Sequence, residues 1–522
     1  MTVSACASAA PLWREQRLRR CLAASLALVL LADRLFYDHD AGISIPIFLT
    51  ALSACAVFAN RFDIHRQNAV AATFVLAVAL LPLVEDASIV SLLFGATGSA
   101  IFVLMIGGEW RGPLAARVGS ALLLYVRGPV QLVSDALRLR KLAVRSGMAT
   151  LSLAGLASWI IPILLCGAFL LLFASANPLI DASLSWIDPR SFLVSPSRLL
   201  LWLAVIDITW PFLHLRQRRS TAAPTAAANP DAAQSGLTAT SLPDAAIRRS
   251  LLMFNALFAW QTALDLTYLW AGAALPGGIT YADYAHRGAY PLMCTALLSA
   301  ASVLIALKPG SSAERSPFTR ALVFAWIGQN ILLVISSILR LDLYVAAYSL
   351  TLLRAYAFVW MLLVAAGLAL IVLRIAFSRS NAWLVRANLA AATIALYASC
   401  LINFPAVVAS YNVDHCREIS GEGTALDLAY LVSLGPQAIP AIDRYLAQEI
   451  GATEEATTYR VPMRAERHRL GWSRRVMAEA EIAARQDWRA WTFRDERLWR
   501  YLQRKPEAPG SETDAPNAAI ER

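Results

Sequence analysis

Charge is scarce in this 522-residue chain: 16% of its residues are Asp, Glu, Lys or Arg, against about 25% in soluble proteins. A soluble globular protein is excluded on that ground. Familiar catalytic and metal signatures are missing as well. The six histidines form no H-E-x-x-H pattern, and "GATGSA" (95–100) lacks the lysine of a phosphate-binding loop. No G-x-S-x-G elbow occurs. The seven cysteines (Cys6, Cys21, Cys55, Cys166, Cys294, Cys400 and Cys416) make no C-x-x-C pair, and only Cys416 stands in the polar tail. Neither an intrachain disulfide nor a zinc site is expected. The sequence implies no cofactor, no metal and no nucleic-acid partner.

What the chain has is apolar length. Hydrophobic residues make up 58%, and the mean hydropathy is +0.53. The apolar residues fall in runs of roughly 18–25, enough for a helix to cross about 30 Å of hydrocarbon. The period-2 alternation of a membrane β-barrel is missing. The expected fold is an all-α polytopic membrane protein of about eleven spans: 18–36, 42–60, 69–85, 87–106, 148–174, 197–213, 251–273, 289–307, 320–339, 353–376 and 387–409. Only a short polar break separates the first two, so a re-entrant pair is the alternative there. No small-x-small cleavage site follows the first run, which reads as a retained span.

The net charge of +10 reports threading, not a partner. With the N-terminus cytoplasmic, 24 of the 46 Lys and Arg residues lie in inside segments or the span ends beside them, and 6 lie outside: Arg34, Arg190, Arg198, Arg287, Arg340 and Arg354. The bias is a positive-inside signature. The other 16 lie beyond residue 409, in a tail that an odd number of spans places outside, in the periplasm of a bacterial cytoplasmic membrane.

The expected organisation is a first membrane block (1–106), an inside amphipathic segment (107–147), two further spans (148–219), a disordered inside linker (220–246), a second membrane block (247–409), a helical outside module (410–505) and a disordered tail (506–522). No internal repeat relates the two blocks. In the module, "TALDLAYLVSLGPQAIPAIDRYLAQEI" reads as two helices separated at Gly435-Pro436. "EAEIAARQDWRAWTFRDERLWRYLQR" reads as a third, carrying Trp488, Trp491, Phe493 and Trp499.

Three motifs occur in order: "TYADYAHRG" (280–288), "LRLDLYVAAYSLTLLRAY" (339–356), and "YNVDHC" running into "LDLAYLVSLGPQAIPAI" (411–442). Over roughly residues 250–500 the chain resembles a bacterial multi-pass membrane family known only as a domain of unknown function. That family carries Tyr-Ala-Asp/Glu-Tyr-Ala-x-x-Gly, Tyr-Gly-Leu-Thr-x-x-Arg and a late Tyr-Asn. Ser349 stands where the family tends to have glycine. The resemblance implies architecture and carries no activity.

The candidate site is polar. Asp265 lies within the seventh span, about 12 Å below its outer end at 1.5 Å per residue. Such a charge must face protein or water. Tyr281, Asp283, Tyr284 and Arg287 in the first motif, and Arg340, Asp342, Tyr344, Tyr348, Arg354 and Tyr356 around the second, fall at the same leaflet. One reading is a wet outer cleft, extended by Asn255, Gln261, Gln329 and Asn330. The plainer one is a capped, tyrosine-anchored helix entry with an Asp283–Arg287 pair and polar residues that join helices. Asp207 is a second intramembrane acid, either a proton or cation site or a partner for a neighbouring helix. Asp414-His415-Cys416 reads as incidental surface residues. Three functions remain open: a non-enzymatic envelope scaffold or signalling component in the lipid bilayer whose module (410–505) docks an envelope protein; a transporter or flippase using Asp265, Asp283 and Arg354; and a membrane enzyme acting on a lipid-linked substrate.

Overall fold

A computed structural model describes residues 6–62, 66–110, 112, 114–126, 128, 130–132, 134–135, 195–215, 244–271, 316–377, 379–421, 423–448 and 457–504. Among these the structure is helical, and the chain is an all-α polytopic membrane protein. Six helices are long and apolar enough to cross a membrane: Arg66–Glu85, Ile89–Ile106, Pro196–Leu213, Pro317–Tyr348, Leu352–Ala376 and Asn381–Leu401. Large apolar side chains point outward from them, such as Phe74 at 69% and Leu362 at 62% exposed, while Asp265 and Arg340 are buried at 1% and 3%. Apolar outside and charged inside is the arrangement a hydrocarbon solvent selects. The expected spans 148–174 and 289–307, and the linker up to residue 243, lie outside the described residues.

The chain forms two compact units, Met1–Arg219 with Asp487–Phe493, and Ser220–Gln486 with Arg494–Arg522. The first contains α1 (Cys6–Phe36), α2 (Ser44–Asn60), α3 (Arg66–Glu85), α4 (Ile89–Ile106), α5 (Leu114–Val126) and α6 (Pro196–Leu213). α2 runs antiparallel to the Arg17–Phe36 part of α1. Phe36 meets Phe48 at one end, and Arg17 donates to Asn60 at the other, 3.0 Å away. They are two separate helices joined by the turn at 37–43. At the first of these ends, Asp33 takes a two-pronged contact from Arg198 and a bond from the Trp202 indole, while the Arg198 guanidinium lies over Tyr37. At the opposite end Asn60 and Arg17 hold the last turn of α6 through Phe212 O and Leu215. The "GATGSA" segment lies within α4. A Cβ at Gly98 would stand 2.2 Å from that of Ala79, and one at Gly95 would stand 2.4 Å from a Leu83 methyl. These glycines let α3 and α4 touch backbone to backbone, a common seam in membranes.

The second unit begins with α7 (Asp244–Leu264), which runs into a π-helical turn (Asp265–Trp270). The last three residues of the expected linker are thus the first turn of a helix. α8 (Pro317–Tyr348), α9 (Leu352–Ala376) and α10 (Asn381–Leu401) follow as two tight hairpins. Caps start them. Thr351 accepts from Arg354 N, and Ser380 from Trp383 N. α10 stops at Leu401, eight residues short of the expected 409. Asn403 there caps a new helix, α11 (Phe404–Asp414), by accepting from Ala406 N. Arg494 donates to the carbonyls of Cys400 and Ile402 at the spent end of α10.

The module continues through α12 (Arg417–Ser420), α13 (Leu428–Ser433), α14 (Ile439–Ala447), α15 (Thr457–Ala484) and α16 (Phe493–Arg504). Gly435, at φ +79°, separates α13 from a short 3-10 turn leading into α14, as its sequence suggested. Leu431, Ile439 and Ile442 are buried beneath them. Inside the module Asp443 takes two bonds from Arg474 (2.8 and 3.0 Å) and one from the Tyr501 hydroxyl (3.0 Å). The expected third helix is two. Asp487 accepts from Arg489 N and interrupts it with a 3-10 turn, and residues 487–493 belong to the first unit.

Candidate functional site

The π-helical turn begins at Asp265. A π turn inserts a residue into the helix, and here the wider ring closes through Ala271 N to Leu266 O, 3.0 Å apart. The Asp265 carboxylate forms an ion pair with Arg340 of α8 and accepts from Gln261 Nε2, one turn below it, at 3.0 Å. Just above, Trp270 Nε1 reaches Ser336 Oγ on α8, 3.3 Å away. Asn255 bridges the same helices lower down, donating to Leu251 O at 2.7 Å and to Leu322 O at 3.1 Å. α7 and α8 therefore run side by side in the same direction. Pairing offsets part of the cost of holding two charges in an apolar interior, and removing either partner would leave the other buried and uncompensated.

A second group lies at the turn between α8 and α9. Tyr344 and Tyr348 pack with ring centroids 4.9 Å apart, and the Arg354 guanidinium lies over Tyr344 at 4.3 Å. Arg354 donates to Tyr348 O at 2.7 Å and also to Ser349 O, closing the end of α8 from the first turn of α9. Ser349 adopts φ +66° and ψ 168°, a region that glycine enters without cost. The module grips this turn. Asn412 Oδ1 accepts from Leu350 N at 2.7 Å, and Asn412 Nδ2 donates to Leu350 O at 2.8 Å. Tyr430 Oη accepts from Leu352 N at 2.8 Å, and Ser349 Oγ meets Thr424 Oγ1 at 3.1 Å. Each position of the Tyr-Ser-Leu-Thr-x-x-Arg motif thus has a mechanical task in holding one turn.

The predicted site residues divide accordingly. Asp265, Arg340 and Gln261 form one buried group. Tyr344, Tyr348 and Arg354 form another, committed to backbone carbonyls. Asp342 is exposed and joins neither. After burial, its charge is the second cause that raises the Tyr411 hydroxyl above its ordinary value. Tyr356 packs edge-on against Phe404. Asn330 donates within its own helix, to Trp326 O, and the Gln329 side-chain oxygen is buried without a hydrogen bond. Tyr281, Asp283, Tyr284 and Arg287 lie outside the described residues. Asp207 is half-buried on α6 with no polar partner among the described residues, and the Gly128 backbone packs against its carbonyl. His415 stacks on Tyr411 at 4.1 Å, and Asp414 pairs with Arg444 at the surface. Among the described residues no cluster of three metal-ligating side chains converges.

Asn412 went unnoticed in the sequence as a functional residue. Its signal was the Tyr-Asn element, but a hydrogen bond spanning 62 positions leaves no local trace. Arg198 likewise carries no sequence signal beyond an outside charge, and its pairing with Asp33 spans 165 positions.

Residues 70–445 match a domain of unknown function, DUF4153. The chain belongs to the DUF4153 family. No curated protein and no solved structure matches it. The DUF4153 match runs from α3 to Tyr445 in α14, so it takes in the turn and the three module residues that hold it, while α15 and α16 lie beyond its end.

Proposed function

We propose that the protein is a non-enzymatic component of a bacterial envelope: a helical scaffold in the cytoplasmic membrane whose C-terminal module docks a protein partner on the periplasmic side. The observation that carries this reading is the set of hydrogen bonds between the 349–352 turn and Asn412, Tyr430 and Thr424 of the module. They make the module a rigid extension of the membrane helices, which is what presenting a docking surface requires. The periplasmic placement rests on the distribution of Lys and Arg along the chain. Arg354, spent on carbonyls and on Tyr344, is ill suited to hold a phosphate, which weakens the enzyme reading. The transporter reading draws on Asp207, half-buried without a polar partner among the described residues.

A photo-crosslinking residue at Trp472 or Ile482, both exposed on α15, tests the proposal in living cells. A discrete protein adduct is expected, weakened in Asn412→Asp and retained in Asp265→Asn. If neither position gives an adduct, while a cysteine at 265 reacts with a membrane-impermeant thiol reagent, the transporter reading replaces this one.

A further inference from the structure

Four helices of the second unit bring their ends together opposite the 349–352 turn. The starts of α7 and α8 are tied by Asn255. The end of α9 and the start of α10 join them, because α8–α9 and α9–α10 are antiparallel hairpins. Six arginines collect there: Arg248, Arg249, Arg320, Arg374, Arg379 and Arg386. Over 248–258, 317–330 and 366–390 the sequence has no Asp or Glu; the acids nearest in sequence are Asp244, the first residue of α7, and Glu314, ahead of α8.

Arg374 differs from the rest. Arg248, Arg249, Arg320, Arg379 and Arg386 are exposed, as a cationic rim beside lipid headgroups would be. Arg374 is 5% exposed, in the last turn of α9. Its Nε is buried without a hydrogen bond. Ile371 and Ile375 on either side belong to the apolar core. The end of the α9 dipole favours a cation here, but it provides no acceptor for the planar donors. A buried guanidinium nitrogen without an acceptor is an incomplete arrangement; a guanidinium fork suits a carboxylate or a phosphate, and beside lipid headgroups the phosphate is the anion at hand.

We propose that this end of the second unit binds the phosphate group of an anionic phospholipid, with Arg374 as the buried anchor and Arg320 and Arg379 as the exposed rim. A lipid brings its acyl chains to the apolar helix faces beside the site, which free phosphate lacks. The site is distinct from the module and from the Asp265–Arg340 pair.

The test uses the full chain in zwitterionic detergent, titrated with phosphatidylglycerol, phosphatidylcholine or inorganic phosphate, with native mass spectrometry and thermal melting as readouts. Phosphatidylglycerol should bind and raise the melting temperature, and phosphatidylcholine should not. Arg374→Gln should weaken that binding about tenfold, the loss of one charge-assisted contact, and should melt no lower than wild type without lipid. The double variant Arg320→Gln/Arg379→Gln, altered only at exposed positions, should weaken it as well. Equal lipid binding by wild type and both variants overturns the proposal. An equal shift with inorganic phosphate also overturns it, identifying a free anion as the ligand.

Discussion

Ser349 holds a backbone conformation, φ +66° and ψ 168°, that costs a residue with a Cβ about 1–3 kcal/mol. Its hydroxyl returns part of that through Thr424, since a part-buried hydrogen bond contributes about 1 kcal/mol. Two substitutions separate the terms. Ser349→Ala keeps the strain and loses the bond, so it should lower the melting temperature of the detergent-solubilised protein. Ser349→Gly loses the bond but also the strain, and should be more stable than Ser349→Ala by about 1–2 kcal/mol. If alanine equals or exceeds glycine, the turn does not carry the strain its φ implies. Asp265 and Arg340 were both visible in the sequence, because charges within apolar runs are rare and costly. That they choose each other was not visible. The choice depends on α7 and α8 lying side by side and on the π turn that aims Asp265, and neither leaves a periodic signature.

Helices were readable from the sequence where one physical length governs them. The bilayer fixes a span at about 20 residues, so 69–85, 87–106, 197–213 and 353–376 lie within a few residues of α3, α4, α6 and α9. The misplacements occur where a cap overrules hydropathy. Asn403 restarts a helix inside the apolar run that continues to Ala409, and Asp487 breaks a well-patterned amphipathic stretch. The glycines of α4 show the same limit. "GATGSA" was informative only for the lysine it lacks, whereas its role is to remove side chains from the α3 interface. Gly98→Leu should therefore separate the hairpin and destabilise the protein by about 1–3 kcal/mol or more. Gly119→Ala, where an added methyl has open space, should stabilise α5 by about 0.5–1 kcal/mol. Equal melting temperatures for Gly98→Leu and wild type would rule out the close seam.

The module's helices carry a pH dependence of unusual sign. Burial, then the charge of Asp495, raises the Glu481 carboxyl to about 7 from an ordinary 4.5. Between those values the folded state keeps a proton that the unfolded chain has released, so this group's contribution to stability falls as pH rises from about 4.5 to about 7. Glu481→Gln mimics the protonated form. Relative to wild type, the variant should gain melting temperature between pH 5 and pH 8. A difference that stays constant over that range would mean that Glu481 is ionised throughout in the folded state.

At the scale of the whole molecule the question is which side of the membrane each end of the first unit faces. The turn after α1 is fastened to the tail segment: His39 pairs with Asp487 at 2.7 Å, and Ile43 N donates to Trp491 O at 2.8 Å. Gly42 lies so close that a Cβ there would stand 2.4 Å from the Ala490 carbonyl. The Arg489 backbone N–H, then its guanidinium, and His39 hold the Asp487 carboxyl below the usual carboxylate range, so that partner stays ionised at neutral pH. The turn at 37–43 and residues 487–493 lie together at one end of α2, and the α2–α3 connection lies at the other; if α2 spans the bilayer, as its sequence suggests, the two ends face opposite sides. In the orientation proposed above from the distribution of Lys and Arg, the α2–α3 connection is cytoplasmic. In a variant stripped of its seven cysteines, Asp40→Cys and Trp488→Cys should both react with an impermeant thiol reagent in intact cells. Arg61→Cys and Arg66→Cys should react only after permeabilisation. Gly42→Val should leave the labelling at 40 unchanged and speed it at 488, because the fastening lost is local to the tail segment. Labelling of 40 and 61 from the same side would overturn the antiparallel α1–α2 pair. Labelling of 488 only after permeabilisation, with 40 labelled in intact cells, would mean that the tail segment and the turn are not joined in the cell.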